Sequence, residues 1–151
     1  MDRPPLVLED FFDGEIQGWG IQQSRFGRLR NEFEITATGT WEDGTQCLRL
    51  TEVYRFDDGF VDTLNWVIFK RSPTVYRGTE SLVKGTASGE QQANWFRWRY
   101  HRKTPSSSGK ATLLTFDDCF WLQNDGVLIA RASVSRFGVE IATMSVFYRR
   151  P

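Results

Sequence analysis

Apolar and polar residues alternate with a period of two along most of the chain, and clusters of Gly, Asp, Asn and Ser break the alternation every roughly 8 to 15 residues. Successive side chains of a strand point to opposite faces, so this pattern predicts consecutive antiparallel strands. The one helical candidate spans residues 6–12, where Leu8, Phe11 and Phe12 share an apolar face until Asp13-Gly14 ends it. It is long enough for a plug or lid, not for a core helix.

The first strand, residues 15–24, alternates Ile16, Gly18 and Gly20 with Trp19 and Ile21, and Arg25-Phe26-Gly27 turns the chain. In the second, about residues 28–42, Phe33, Ile35, Ala37, Gly39 and Trp41 face one way and Glu34, Thr36, Thr38, Thr40 and Glu42 the other. Asp43-Gly44 predicts a tight hairpin with positive φ angles, and Leu48, Leu50, Glu52, Tyr54 and Phe56 form the returning inner face. Asp57-Asp58-Gly59 turns again into a strand over residues 60–71, with Leu64, Trp66 and Ile68 on one side and Val61, Val67 and Phe69 on the other, which predicts cover on both faces. Ser72-Pro73 breaks it, two short strands follow over 75–80 and 82–88, and Gly89-Glu90 reverses the chain. Residues 94–102 alternate Phe96, Trp98 and Tyr100 with Arg97, Arg99 and His101. After a loop at Ser106-Ser107-Ser108-Gly109, strands over 111–122, 127–135 and 139–149 complete the set, with Asn124-Asp125-Gly126 as a further turn.

About ten strands joined by short reversals, with no segment suited to a parallel crossover, predict an all-β, single, antiparallel up-and-down barrel of the lipocalin or calycin kind, because closure removes the sheet edges. One domain then spans residues 1–151, with residues 1–5 as an extended lead-in. Ser24-Arg25-Phe26-Gly27 is echoed by Ser135-Arg136-Phe137-Gly138. The first and last strands of a closed barrel are neighbours, so the two turns are expected side by side.

Composition narrows the function classes. A chain of 151 residues buries roughly two-thirds of its unfolded surface and needs neither metal nor disulfides to fold. With 19 Lys plus Arg against 19 Asp plus Glu, no global charge draws it to nucleic acid or to a membrane surface, although a local patch is not excluded. Its 40% hydrophobic and 25% charged residues set it apart from disordered chains. No run approaches the ~20 apolar residues of a membrane span. Residues 1–12 lack the basic start and apolar run of a signal peptide, so the chain as written is expected in the cytoplasm, and in the periplasm or at a membrane if an export signal has been trimmed. Cys47 and Cys119 lack metal-ligand spacing and have only His101 to join them, so two buried free thiols are expected in preference to a disulfide, with no metal and no cofactor.

The 22 aromatic residues, 12 Phe, 6 Trp and 4 Tyr, are the first feature that bears on function. A barrel of eight to ten strands is wide enough to be filled by side chains or to hold one small ligand. If Tyr54, Trp66, Trp98, Tyr100 and Trp121 face inward, they either fill the core or line a cavity for an apolar or amphipathic molecule. Glu52, in phase with Leu50 and Tyr54, and Arg131, in phase with Val127 and Ile129, are the polar candidates for the interior. A buried charge requires a partner, so these two form a structural pair or orient a ligand carboxylate or hydroxyl.

The acidic pairs Asp57-Asp58 and Asp117-Asp118 are not dyads in themselves, since adjacent strand residues face apart. Asp57-Asp58 beside Gly59 is turn chemistry, whereas Asp117-Asp118 lies within an apolar strand. The basic run Arg97, Arg99, His101, Arg102 and Lys103 reads as a solvated face, because the neighbouring rings that would stack bases point the other way. No G-x-S-x-G elbow, Gly-rich phosphate loop or H-E-x-x-H is present.

Gly39-Thr40-Trp41 resembles the G-x-W signature of lipocalin-like barrels, in which a tryptophan closes one end of the cavity. It stands with Leu8-Glu9-Asp10-Phe11-Phe12-Asp13-Gly14, Gly18-Trp19-Gly20, Arg25-Phe26-Gly27, Phe116-Asp117-Asp118, Trp121-Leu122-Gln123, Asp125-Gly126-Val127-Leu128-Ile129, Arg131 and Arg136-Phe137-Gly138. Together, over about residues 6 to 149, they resemble a bacterial domain-of-unknown-function family, number 3833, whose members are often described as lipoproteins. The resemblance implies a lipocalin-like barrel with no assigned activity and no catalytic residues to carry over. The lipobox cysteine of a lipoprotein is missing near the start of this chain. The expected function is non-catalytic binding of one small apolar or amphipathic molecule. The alternatives are a filled barrel that docks a partner chain on its surface, and a hydrolase or isomerase using Asp117 or Asp118 with Glu52 or Tyr54.

Overall fold

A computed structural model describes residues 2–151 as a short helix followed by ten antiparallel strands that close into a barrel. The helix α1 is Leu8–Phe11. The strands are β1 Gly14–Ser24, β2 Leu29–Glu42, β3 Cys47–Phe56, β4 Val61–Lys70, β5 Val75–Thr79, β6 Val83–Gln92, β7 Trp95–Thr104, β8 Thr112–Leu122, β9 Leu128–Arg136 and β10 Val139–Arg149. Each strand pairs with its neighbours in sequence, and β1 pairs with β10 through Gln17–Arg149 to Ser24–Ala142. The up-and-down barrel expected from the alternation is therefore complete, and no edge is left open. No helix among the described residues is long and apolar enough to cross a membrane.

Odd-numbered strands run one way and even-numbered strands the other, so the barrel has two distinct ends. The turns that follow β2, β4, β6 and β8 lie at the end where α1 sits, the plug end. The turns that follow β1, β3, β5, β7 and β9 form the opposite rim.

Helix α1 is too short to hold itself together, and its neighbours fix it in place. Leu6, Leu8 and Phe12 are buried in the core. The Leu6 N–H donates to the Ala93 carbonyl at 2.9 Å and the Leu8 N–H to Gln91 Oε1 at 3.3 Å. Lys70 Nζ meets Glu9 Oε2 at 2.5 Å, and the Tyr76 hydroxyl donates to Glu9 Oε1. The Arg150 guanidinium reaches back to the Asp13 carbonyl at 2.6 Å and the Asp10 carbonyl at 2.7 Å, tying the two ends of the chain together. The glycine of the G-x-W signature makes room for this plug. A Cβ on Gly39 would stand 1.8 Å from the Phe12 carbonyl oxygen, inside any contact distance. Trp41 is half-buried against the core and does not line the interior space, which Leu8 and Phe12 close instead.

Three local expectations are corrected. The hairpin at Asp43-Gly44 is a four-residue turn over 43–46, and its positive φ falls on Gln46, whose side-chain amide donates to the Asp43 carbonyl at 2.9 Å. The reversal placed at Gly89-Glu90 comes later, at Ala93. Gly89 continues the ladder opposite Trp98 because its missing Cβ leaves space for the Phe96 and Trp98 rings. The far face of β4 is not covered: Val61 is exposed, and Val67 and Phe69 are half-buried. Both cysteines are free, Cys47 buried on β3 and Cys119 half-buried on β8, on opposite sides of the ring.

Candidate functional site

The inward faces of the strands do not fill the barrel. They leave a cavity of about 140 Å³ that runs from Leu8 and Phe12 at the plug end toward Gln22, Phe56, Thr104, Leu114 and Met144 near the rim. Its wall is an aromatic belt. Trp66 stands edge-on to Trp98 and Tyr100, with ring centres 5.3 and 5.0 Å apart, and Tyr100 stacks on Phe116 at 4.9 Å. Phe96 stacks on Trp98 at 5.7 Å and meets Tyr76 edge-on. Gly78 and Gly89 seat Trp98: a Cβ on either would come within 2.7 Å of its ring.

Polar groups interrupt this belt at three levels. Nearest the middle, Glu52 is buried, and its Oε1 accepts a hydrogen bond from Trp66 Nε1 at 2.9 Å. Burial raises its carboxyl to about 7, aided by the charges of Glu80 and Asp62 and opposed by the Trp66 N–H and Arg102. Asp118 lies across the barrel on β8, and its Oδ1 is buried with no hydrogen-bond partner. Burial holds this carboxyl well above the usual carboxylate range, the Glu52 and Asp117 charges push the same way, and the Tyr100 hydroxyl opposes them. Tyr54, Tyr100 and Tyr148 line the same space, and burial, with neighbouring acids and phenols, keeps their hydroxyls protonated well beyond the ordinary range.

Beneath the rim lies the third polar group. Arg102 is 2% exposed and grips Asp62 with two bonds, Nη1 to Oδ2 at 2.6 Å and Nη2 to Oδ1 at 3.1 Å, while its Nε donates to Glu80 Oε1 at 2.8 Å. Burial acts to raise Glu80, but Arg102 and the Leu82 N–H outweigh it, and the carboxyl stays below its ordinary value. Two acids thus take up Arg102, the one buried arginine among the described residues, and none of its charge is left for a ligand anion.

The structure brings together Glu52, Tyr54, Trp66, Trp98 and Tyr100, five of the seven residues singled out from the sequence. The other two are corrections of phase. On β8 the inward set is Phe116, Asp118 and Phe120, so Trp121 points outward and is 39% exposed. On β9 the buried residues are Leu128, Ala130 and Val134, so Arg131, although it borders the cavity, is an exposed residue and not a buried charge. Leu128 and Ala130 made the weaker hydrophobic signal, and Val127 with Ile129 drew the phase the wrong way. Arg131 and Glu52 therefore do not pair.

Asp117 and Asp118 part as adjacent strand residues must. Asp117 lies outside in a bidentate pair with Arg97, at 2.9 and 2.6 Å, which holds its carboxyl below the usual range. Arg102 is the residue the sequence missed, because it was read with the solvated basic run. The signal was there: Phe96, Trp98, Tyr100 and Arg102 continue one alternation, and an inward arginine requires inward acids such as Asp62, two residues before Leu64. No group of three or more metal-ligating side chains forms among the described residues.

The fold recurs in solved structures of low sequence identity. The S-type phycobiliprotein lyase CPES from Guillardia theta superposes with a TM-score of 0.66 at 12% identity, over 97% of this chain and 93% of the lyase. A protein of unknown function from the DUF3598 family of Nostoc punctiforme superposes with a TM-score of 0.67 at 14% identity, over 99% of this chain and 51% of its own, so this chain spans about half of it. No curated protein matches the chain in sequence. At these identities the neighbours establish the barrel and nothing finer. The model of the family described as a protein of unknown function, DUF3833, matches residues 1–150, and the chain belongs to that family.

Proposed function

We propose that the barrel binds one small molecule with an apolar body and a hydrogen-bond-donating head, of the size and character of an aromatic amine. The observation that carries this is the unpartnered, buried Oδ1 of Asp118, facing an aromatic cavity that also holds Glu52. A buried carboxyl oxygen without a partner is costly, and a ligand ammonium that takes the hydrogen bond and favours the ionised carboxyl removes that cost. With Arg102 already bound by Asp62 and Glu80, the interior offers carboxyls and phenols to a ligand and, among the described residues, no free cation to hold an anion. That argues against the ligand carboxylate considered from the sequence. A space of about 140 Å³ matches the ~150 Å³ that holds a benzene-sized guest elsewhere.

The test is calorimetric titration with phenethylamine and with phenylacetate, its near-isosteric carboxylate, on the natural protein and Asp118→Asn. The amine is expected to saturate one site, phenylacetate not to bind, and Asp118→Asn to weaken the amine by about tenfold or more. Equal binding of both ligands, or of neither, refutes the proposal.

A second reading has its own support: a carboxyl near 7 beside protonated phenols can give and take a proton at neutral pH, as acid–base catalysis in a hydrolase or isomerase requires. It demands turnover whose pH profile inflects near the Glu52 value and whose rate collapses in Glu52→Gln. The third reading, a filled barrel serving only as a docking surface, calls for a packed interior, which the cavity argues against.

A further inference from the structure

The repeated Arg-Phe-Gly turns meet at the rim. The turn after β1 and the turn after β9 are adjacent because β1 pairs with β10, and the Arg25 N–H donates to the Ile141 carbonyl at 3.1 Å. Phe26 is 83% and Phe137 90% exposed, the two most exposed large apolar side chains of the described residues. Leu29, Val139 and Ile141 extend the same apolar patch.

Nothing in the fold asks for these rings. Phe137 has φ 52 and precedes Gly138 with φ 78, a hairpin position that Asn or Gly fills at lower cost than a bulky residue. Phe26 follows Ser24, whose Oγ accepts from the Phe26 and Arg28 N–H groups, so the turn is made by the serine and the glycine. Each ring has its own neighbouring arginine over it, with Arg25 4.8 Å from the Phe26 ring centre and Arg136 5.0 Å from that of Phe137. A strained turn residue that exposes a phenylalanine costs stability and solubility, and a surface that receives the ring would account for it.

Charge selects the surface. Over residues 24–31 and 135–141 there are four arginines, Arg25, Arg28, Arg30 and Arg136, and one acid, Glu140, which accepts a hydrogen bond from Ser133 Oγ. None of the four arginines has an acidic partner within 4.0 Å among the described residues. The next acids along the rim are Glu32, exposed two residues after Arg30, and Asp57, which accepts from the Glu32 N–H, so the arginines are in excess at the paired turns themselves. Shape selects it as well: the rings stand on two convex turns, and a protein partner would need a matched pocket for each, whereas a bilayer needs none.

We infer that this rim docks on an anionic lipid bilayer, with Phe26 and Phe137 entering the acyl boundary and the four arginines facing the headgroups. The neutral net charge hides this, because the plug end carries acids such as Asp10, Asp13, Glu42 and Asp43. The inference stands on the rim alone and does not depend on the cavity's ligand. It does turn the rim end of the cavity, near Gln22, Thr104 and Leu114, toward the membrane and the plug away from it.

Flotation with vesicles tests it, using equimolar phosphatidylglycerol and phosphatidylcholine against phosphatidylcholine alone. The natural protein is expected to float with the anionic vesicles and to be released by about 0.5 M salt. Phe26→Ser with Phe137→Asn is expected to lower vesicle affinity by about tenfold or more while the thermal midpoint holds or rises, since Asn suits the positive φ. Arg25→Gln with Arg136→Gln should remove the preference for anionic lipid. Failure of the natural protein to float with anionic vesicles, or flotation indifferent to the phenylalanine pair, overturns the inference. So does a concentration-dependent dimer that the same pair abolishes, which would assign the tips to a second copy of the chain.

Discussion

Glu52 keeps a proton that water would remove, and this makes it the residue through which pH reaches the fold. Its value in the barrel, about 7, lies above its ordinary 4.5, so folding favours the protonated form. The contribution is full below about pH 4.5, falls as pH rises toward 7 and is constant beyond, with a slope of about 1.4 kcal/mol per pH unit at most. Asp118 is shifted in the same direction and adds to the trend. Urea unfolding at pH 5 and pH 7.5 is expected to show the natural protein losing stability across this window and Glu52→Gln losing less. A flat profile in both would mean that Glu52 is solvated. Binding of an amine runs the other way, since it uses the ionised carboxyl, so phenethylamine affinity is expected to rise as pH passes through about 7 while protein stability falls. Arg102 offers a second test at this scale. Arg102→Met strands Asp62 and Glu80 without their cation and is expected to cost roughly 3–5 kcal/mol in urea unfolding. Adding Asp62→Asn and Glu80→Gln to that variant should recover much of the loss, because no uncompensated charge then remains.

At the scale of elements, the decisive piece is also the smallest. Four helical residues close one end of a ten-stranded barrel, and their seat is a glycine. Gly39→Ala drives a methyl into the Phe12 carbonyl, which is main chain and has no rotamer to escape into, so α1 must move. The expected result is a stability loss of roughly 1–3 kcal/mol, on the scale of overpacking, together with faster exchange of the α1 amides. Exchange unchanged from the natural protein would mean that the plug is not seated on Gly39. The sequence marked Gly39 through the G-x-W signature and marked residues 6–12 as a plug, yet it could not join them. That contact runs between residues far apart in the chain, and alternation speaks only of faces within one strand. For the same reason the phases of β2, β3 and β7 are legible, each having three or four large apolar residues in step. Those of β8 and β9 are not, because Trp121, Val127 and Ile129 are apolar residues on the outer face.

At the scale of the whole molecule, the number of strands, their order and their closure were legible, since every reversal is short and leaves only the neighbour to pair with. Whether the closed barrel is hollow was not legible, because it depends on how rings from seven or eight strands meet at the centre. Ala130 decides between hollow and filled. It is a small buried residue on the inward face of β9 and lines the cavity among far larger groups. In a filled barrel, Ala130→Leu would force extra carbon into a close-packed interior and cost roughly 1–3 kcal/mol. In the barrel described here it enters existing space, and thermal unfolding is expected to show a midpoint held or raised. Phenethylamine binding should then be lost even though Asp118 and Glu52 are untouched. Retained binding would place the ligand elsewhere, and a sharp drop in midpoint would mean that the interior has no room to give. The two readouts on one variant thus separate a site defined by its volume from one defined by its carboxyls.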